Sequence, residues 1–420
     1  MGHLLGFLWL APLLSLSSGD LETRSDGPVY SETCNLSQRM FPADPSALNI
    51  GQKWGTDEPT ATVVLDLQQV TSSSSRFDIR TFDPEGVIFY GDTKDGMDWF
   101  LLGMRKGRLE IQVRNHISKI TVSGGDALND GQWHQVTVTN EGDTVLLEVD
   151  GELRLRIGQV TEPINSGQVL EMRIAVGGIL TNHSNLLIPM NLALDACLRR
   201  WKWLNQTSSW HSGPPVEGHG AKPCFSSIQR GSFFSGAGMA IFHTSGFGTE
   251  GVVPWDDWEL MLEMVIRPAK RMGFLLALSA EDYRPLLTLR MKGKGFSLEL
   301  GNNNTSLELS FPDKMCPGVQ LLLNISPSHL LWKLNDEKAE LPLQEEDYRA
   351  LRAAWHEKGS RLFLGGLPKE LFPAEGAVFF EGCLSDIRLQ GHTVDLDSAL
   401  YKSDTIWAHS CPQSSSFNQS

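Results

Sequence analysis

Five segments of this chain recur about 187 residues further along. Gly86-Val-Ile-Phe-Tyr90 returns as Gly273-Phe-Leu-Leu-Ala-Leu278, and Phe100-Leu-Leu-Gly-Met-Arg-Lys-Gly107 as Leu286-Leu-Thr-Leu-Arg-Met-Lys-Gly293. Val145-Leu-Leu-Glu-Val-Asp-Gly151 returns as Leu330-Leu-Trp-Lys-Leu-Asn-Asp336, and Arg173-Ile-Ala-Val-Gly-Gly178 as Arg361-Leu-Phe-Leu-Gly-Gly366. Cys197-Leu-Arg-Arg200 is matched by Cys383-Leu-Ser-Asp-Ile-Arg388. A repeat of this length is a whole domain duplicated in tandem. The boundary falls near Thr207 to Gly220, a Ser/Gly/Pro/His stretch without strand signal.

The repeated unit reads as strands. Asp83-Pro-Glu-Gly86 is turn chemistry, since Pro fixes φ and Gly permits φ > 0. Val87 to Tyr90 and Trp99 to Met104 are β-branched and aromatic runs, and Arg105-Lys-Gly107 is a hairpin turn before the alternating Leu109 to Val113. Ala61 to Leu67, Phe77 to Thr81, Lys119 to Val122, Trp133 to Val138, Val145 to Val149 (turning at Asp150-Gly151) and Met172 to Val176 complete the first set. Short strands at such even spacing predict an all-β sandwich or barrel. Helical periodicity is confined to Leu343 to His356, where Tyr348, Leu351 and Trp355 share one face.

The flanks speak of export. His3 to Leu16 is an apolar core followed by Ser17-Ser18-Gly19, the pattern of a cleaved signal peptide over residues 1–19. No later stretch is long and apolar enough to span a membrane as a helix. Six cysteines in an exported chain imply disulfides. Cys197 and Cys224 lie close in sequence, as do Cys383 and Cys411; Cys34 and Cys316 are left over, and no CxxC spacing points to zinc. Glycosylation sequons stand at Asn35, Asn182, Asn205, Asn303, Asn304, Asn324 and Asn418, with at most one of the overlapping pair used, entered here as Asn304. A net charge of −14 argues against nucleic acid or an anionic membrane as the partner. The expected division is an irregular leader over 20–59, a first domain over 60–224, a second over 225–413 and a tail over 414–420.

The segments Glu85 to Asp92, Asp130 to Val138, Val149 to Glu152 and Ala175 to Gly178, with the late cysteine of each half, resemble the laminin G-like domain family. That resemblance covers both halves and implies two tandem antiparallel jelly-roll sandwiches. Arg80 to Thr93, Asp98 to Gly103, Leu146 to Glu152 and Ile406 to Gln413 are similar, more narrowly, to the steroid-binding globulins of that family. The function implied is a secreted carrier of sex steroids, androgens and estradiol. The slot would lie between the sheets of the first domain, a homodimer would form through that domain, and neither nucleic acid nor membrane would be a partner. By position, Ser75 would meet a ring-A oxygen, Asp98 and Asn115 a 17-hydroxyl, and Phe100, Val138 and Met172 would form walls. On residues alone Ser75 reads as a solvated loop serine, Asp98 and Asn115 as turn caps, and the three apolar residues as plain core. One wall position that is methionine in mammalian relatives is Asn140 here, and the covering loop Glu162 to Val169 also differs, which leaves ligand ranking open.

The resemblance also implies a structural calcium held by Asp83, Glu85 and the backbone carbonyl of Ala193; without it the pair is a solvated turn. The second half has Pro268-Ala-Lys-Arg271 there and should hold none. A zinc set of two histidines and Asp98 is incomplete, with His116 present but Val169 at the other histidine position. Relatives of the vitamin K-dependent protein S type tie the segment before the first domain to the second domain, which implies Cys34–Cys316 beside Cys197–Cys224 and Cys383–Cys411; pairing between chains is the competing outcome. The alternative function is an adhesion or receptor-binding pair of that same type, disfavoured because no Gla or EGF-like module precedes the pair. Catalysis has little support and no catalytic cofactor is expected. No Gly-x-Ser-x-Gly, HExxH or phosphate loop occurs, and Asp83 and Glu85 lie in a turn instead of facing a groove as glycosidase carboxylates would.

Overall fold

The computed structural model describes residues 43–51, 55–56, 58–67, 73–93, 96–158, 171–204, 222–247, 258–301, 305–315, 318–368 and 379–413. The signal segment, the boundary stretch 207–220, the covering loop 162–169, Cys34, Cys316, and the sequons at 35, 205, 303, 304 and 418 lie outside them.

The first half is built from β1 (Leu48–Asn49), β2 (Ala61–Asp66), β3 (Ser74–Thr81), β4 (Gly86–Thr93), β5 (Trp99–Arg105), β6 (Arg108–Arg114), β7 (Lys119–Gly124), β8 (His134–Asn140), β9 (Thr144–Val149), β10 (Glu152–Gly158), β11 (Glu171–Val176) and β12 (Ala196–Lys202). They form two antiparallel sheets, in the orders β1-β12-β3-β8-β9-β10 and β2-β11-β4-β5-β6-β7. The leader expected to be irregular through residue 59 contains β1, which pairs Leu48 with Leu198. Turn chemistry behaves as the sequence predicts. Lys106 and Gly107 both take positive φ, as do Asp150 and Gly151, the geometry of tight hairpins that match strand twist. A Cβ on Gly107 would also sit 2.3 Å from Asn129 Oδ1, so that side chain would have to shift.

Between the sheets lies one apolar core. Phe77 from β3 and Phe89 from β4 meet edge to face, ring centres 4.9 Å apart, among Val136, Leu147, Ile111 and Val176. The β4 sheet is covered on its other face too. There Val87, Tyr90, Trp99 and Leu101 pack under Ile179, Leu186, Met190 and Leu192. Val87 through Tyr90 is therefore wholly buried, and a β-bulge between Val87 and Phe89 turns both Ile88 and Phe89 to the inner side.

The second half repeats the plan with sheets of eight and seven strands around a core that includes Trp332, Phe296 and Phe380. Its helix, α1 (Glu345–His356), buries the predicted face of Tyr348, Leu351 and Trp355, and Tyr348 Oη donates to Trp258 O at 2.7 Å. The disulfides Cys197–Cys224 and Cys383–Cys411 form as paired, each with Cα atoms 6.0 Å apart.

The two sandwiches are joined by polar contacts. Arg80 lies over the Trp133 ring and donates to the carbonyls of Phe225 and Ser226. Arg230 donates to Asn129 O at 3.0 Å and sits over Phe82. His409, from the second half, donates its backbone N–H to Asp195 at 2.9 Å and brings Nε2 within 3.6 Å of Asp83 and 2.8 Å of Asp397. Burial opposes charge on His409, but Asp83 and Asp397 outweigh it and raise the imidazole to about 10, so it is a cation at neutral pH. Asp397 also pairs with Lys402, whose side chain is 7% exposed. Removing one partner of a buried charge group leaves the others unpaired at a cost of ~3–5 kcal/mol. Asp397→Asn should thus lose about that much stability in guanidinium unfolding followed by tryptophan fluorescence; a loss below ~1 kcal/mol would mean that solvent already screens the group.

Candidate ligand-binding slot

The strand registers place the expected site residues along one end of the first sandwich. In the β4 sheet, Met172 is paired with Thr93, and the Thr93 N–H donates to Asp98 O at 3.1 Å. Trp99 pairs with Arg114, so Asp98 and Asn115 step off the same ladder end. One position inward, Phe100 lies between Gly91 and Val113. A Cβ on Gly91 would lie 2.3 Å from the Phe100 ring, so the glycine is what lets that ring lie flat on β4. In the facing sheet Ser75 pairs with Val138. Phe100, Val138 and Met172 are partly buried and pack on the inter-sheet core.

Ser75 is a strand residue 3% exposed, which removes the solvated-loop reading. Its Oγ accepts the Leu204 N–H at 3.3 Å, a bond that leaves the hydroxyl proton to be donated elsewhere. Asn115 does cap a turn: its Oδ1 accepts from the Ile117 and Ser118 N–H groups at 2.9 and 2.5 Å. Its amide NH₂ is the donor half of the group, and the Asp98 carboxylate is an acceptor. Asn140 is exposed at the end of β8.

Sequence reasoning passed over Trp201 and Trp203. Strand alternation would send residues 199, 201 and 203 to one side, yet Arg199 faces out to Asp78 while both tryptophans face in. The cause is an irregularity between Arg199 and Lys202 with Arg200 at φ 51°. Trp203 stacks on Phe100 at 5.9 Å, nearly parallel at 9°, and Trp201 meets Phe89 at 4.2 Å. The signal was in the sequence as Trp-Lys-Trp, but its direction depended on the bulge.

The expected calcium donors are near one another and already engaged. Ala193 O lies against the turn, 2.4 Å from where a Gly86 Cβ would be. Asp83 accepts the N–H groups of Glu85 and Asp195 at 3.1 and 2.8 Å. Glu85 accepts from Asn191 N–H at 3.2 Å and pairs with Arg105 at 3.3 Å. Two carboxylates and a carbonyl are the right donor chemistry for calcium. Burial raises the Asp83 carboxyl pKa to about 7, with the His409 charge drawing it back down. Among the described residues the one cluster of acid and imidazole groups close enough to share an ion is Asp83, Asp397 and His409, which draws Asp83 toward the second domain. His116 is exposed in the β6–β7 turn. Of the described sequons, Asn182 is exposed, whereas Asn324 lies half-buried in a central strand with Nδ2, the atom a glycan would take, donating to Glu259 at 3.0 Å.

No helix among the described residues is long and apolar enough to cross a membrane. Residues 79–208 match the laminin G domain model. The paired domains LG4-5 of the mouse laminin alpha1 chain superpose with a TM-score of 0.63 over 91% of this chain and 98% of that one, at 18% identity, which supports the fold alone. Vitamin K-dependent protein S of Oryctolagus cuniculus is 31% identical over 82% of this chain and 54% of its own. Sex hormone-binding globulin of Homo sapiens is 38% identical over 88% of each chain. At that identity over nearly the whole length of both, the chain belongs to the sex hormone-binding globulin family, built on tandem laminin G domains.

Proposed function

We propose that this chain is a secreted carrier of sex steroids, androgens and estradiol, that binds them between the sheets of its first domain and so sets their free concentration. The observation that carries this reading is the set of facing pairs at one end of that sandwich: Ser75 and Val138 on one sheet, Phe100 and Met172 on the other, with Asp98 and Asn115 at the rim. A steroid is a rigid apolar plate with a polar atom at each end. Burying roughly 300–400 Å² of it at ~25 cal/mol/Å² yields about 8–10 kcal/mol before the costs of association. The ends must also be met, since an unmet buried polar group costs ~1–3 kcal/mol. Ser75 supplies a donor for a ring-A oxygen, and Asp98 with the Asn115 amide meets a 17-hydroxyl. The second domain has no counterpart of this polar set evident in its sequence. The protein S relative keeps open a receptor-binding role for the pair, but the placement of the six residues favours the carrier.

In this reading a calcium held by Asp83, Glu85 and the Ala193 carbonyl is structural, neutralising two carboxylates at the base of β4. The homodimer forms through the first domain, where β7 is an edge strand of half-exposed residues. A Cys34–Cys316 bond would clamp the leader to the second domain.

Equilibrium dialysis tests the carrier. Full-length protein should take up tritiated dihydrotestosterone and estradiol saturably, one per chain; a folded protein that takes up neither would refute the reading. Ser75→Ala should cost about 1–2 kcal/mol, roughly 5- to 30-fold in affinity, for every ligand with a ring-A oxygen. Asp98→Ala should weaken 17-hydroxy ligands selectively, and equal losses for 17-deoxy analogues would reverse the orientation. Stripping calcium with EDTA should lower the thermal midpoint and calcium should restore it, whereas an unchanged midpoint would remove the ion from the account.

A further inference from the structure

We propose that Trp203 is a second ligand hydrogen-bond donor beside Ser75, and that the pair selects a carbonyl oxygen at that end of the slot. The assignment rests on the steroid reading above and adds to it a residue and a ligand class. Trp203 is 8% exposed, and its Nε1 is buried with no hydrogen-bond partner among the described residues. Buried indole N–H groups ordinarily find an acceptor, so one left open on a binding wall calls for one from outside the chain. The position fits. The ring stacks on Phe100, a slot wall on the opposite sheet, and touches Phe89 at 5.7 Å. The next residue, Leu204, donates its N–H to Ser75 Oγ, which ties the end of β12 to the serine itself.

The donor count then decides the ligand. Indole N–H only donates. The Ser75 oxygen has one of its two lone pairs taken by Leu204 and keeps its proton to donate. Two donors thus belong to this end, and a ketone oxygen has two lone pairs and no proton of its own. A phenol would bring a proton that the indole cannot accept and that only the second lone pair of Ser75 Oγ could take. At the other end the Asp98 carboxylate is an acceptor and calls for a hydroxyl. The slot therefore has a polarity, favouring 3-keto-17-hydroxy steroids over 3-phenolic ones.

The test is Trp203→Phe in the full-length chain, which keeps the aromatic wall and deletes the N–H. Affinity for dihydrotestosterone should fall roughly 5- to 30-fold, the effect of one lost hydrogen bond. Affinity for 5α-androstan-17β-ol, which lacks the ring-A oxygen, should stay within about twofold, and the preference for dihydrotestosterone over estradiol should narrow. Trp332→Phe, removing another unpartnered indole in the second sandwich, should leave binding unchanged. On wild-type protein labelled with ¹⁵N-tryptophan, the Trp203 indole resonance should move with dihydrotestosterone and not with the deoxy steroid, a readout independent of whether the variant folds. Equal losses for both steroids, or an indole resonance that ignores the ketone, would make Trp203 a packing residue and overturn the assignment while leaving the carrier intact. Wild-type protein that binds neither steroid would overturn the carrier reading and this assignment with it.

Discussion

Phe77 and Phe89 meet edge to face across the gap between the two sheets of the first domain, and that contact sets how far apart the sheets stand. Packed sheets lie about 10 Å apart, a distance filled by two layers of side chains or by one layer and a flat ligand. Deep in the sandwich the phenylalanines fill it. Toward the end that carries Ser75 and Phe100, the filling changes to Trp203 stacked on Phe100, with half-buried Val138 and Met172 alongside. The proposed slot is thus the continuation of the core, and its walls would be positioned by the same interdigitation that stabilises the fold.

Most of the fold was legible because it is local. Period-two patterns gave the strands, Lys106-Gly107 and Asp150-Gly151 gave the hairpins, and one apolar stripe gave the helix. The duplication fixed the domain number without any structure. Three things were not legible, each for a physical reason. β1 is two residues long and exists because β12 has an open edge beside it, which a local pattern cannot show. The burial of the outer face of the β4 sheet depends on where residues 179–192 fold back. The approach of His409 and Asp397 to Asp83 joins groups from opposite ends of the chain.

The site was legible in a different way. Composition and periodicity made Phe100, Val138 and Met172 plain core and Asn115 a turn cap, and both descriptions hold. What they lacked was that core and cap residues can also face a ligand when they line the end of a sandwich. The resemblance supplied that, residue by residue. It did not supply Trp203, because the bulge at Arg200 reverses the strand's facing and places the indole on the wall. The role proposed for the tryptophan is where the chain's own chemistry would add to what its family implies.

The polar joint gives the second domain a physical relation to the slot without a place in it. Arg80 lies five positions after Ser75 on β3, so its side chain leaves the opposite face of the strand, and it holds the first residues of the second domain by their carbonyls, while Asp83, just past that strand, faces His409. The central claim remains the location and orientation of the ligand. A crystal structure of the full-length protein with dihydrotestosterone tests it most directly. The account predicts density between the two sheets of the first domain, with the ketone oxygen at Ser75 and the 17-hydroxyl at Asp98. Density elsewhere on the molecule, or in the slot with the ends reversed, would contradict it.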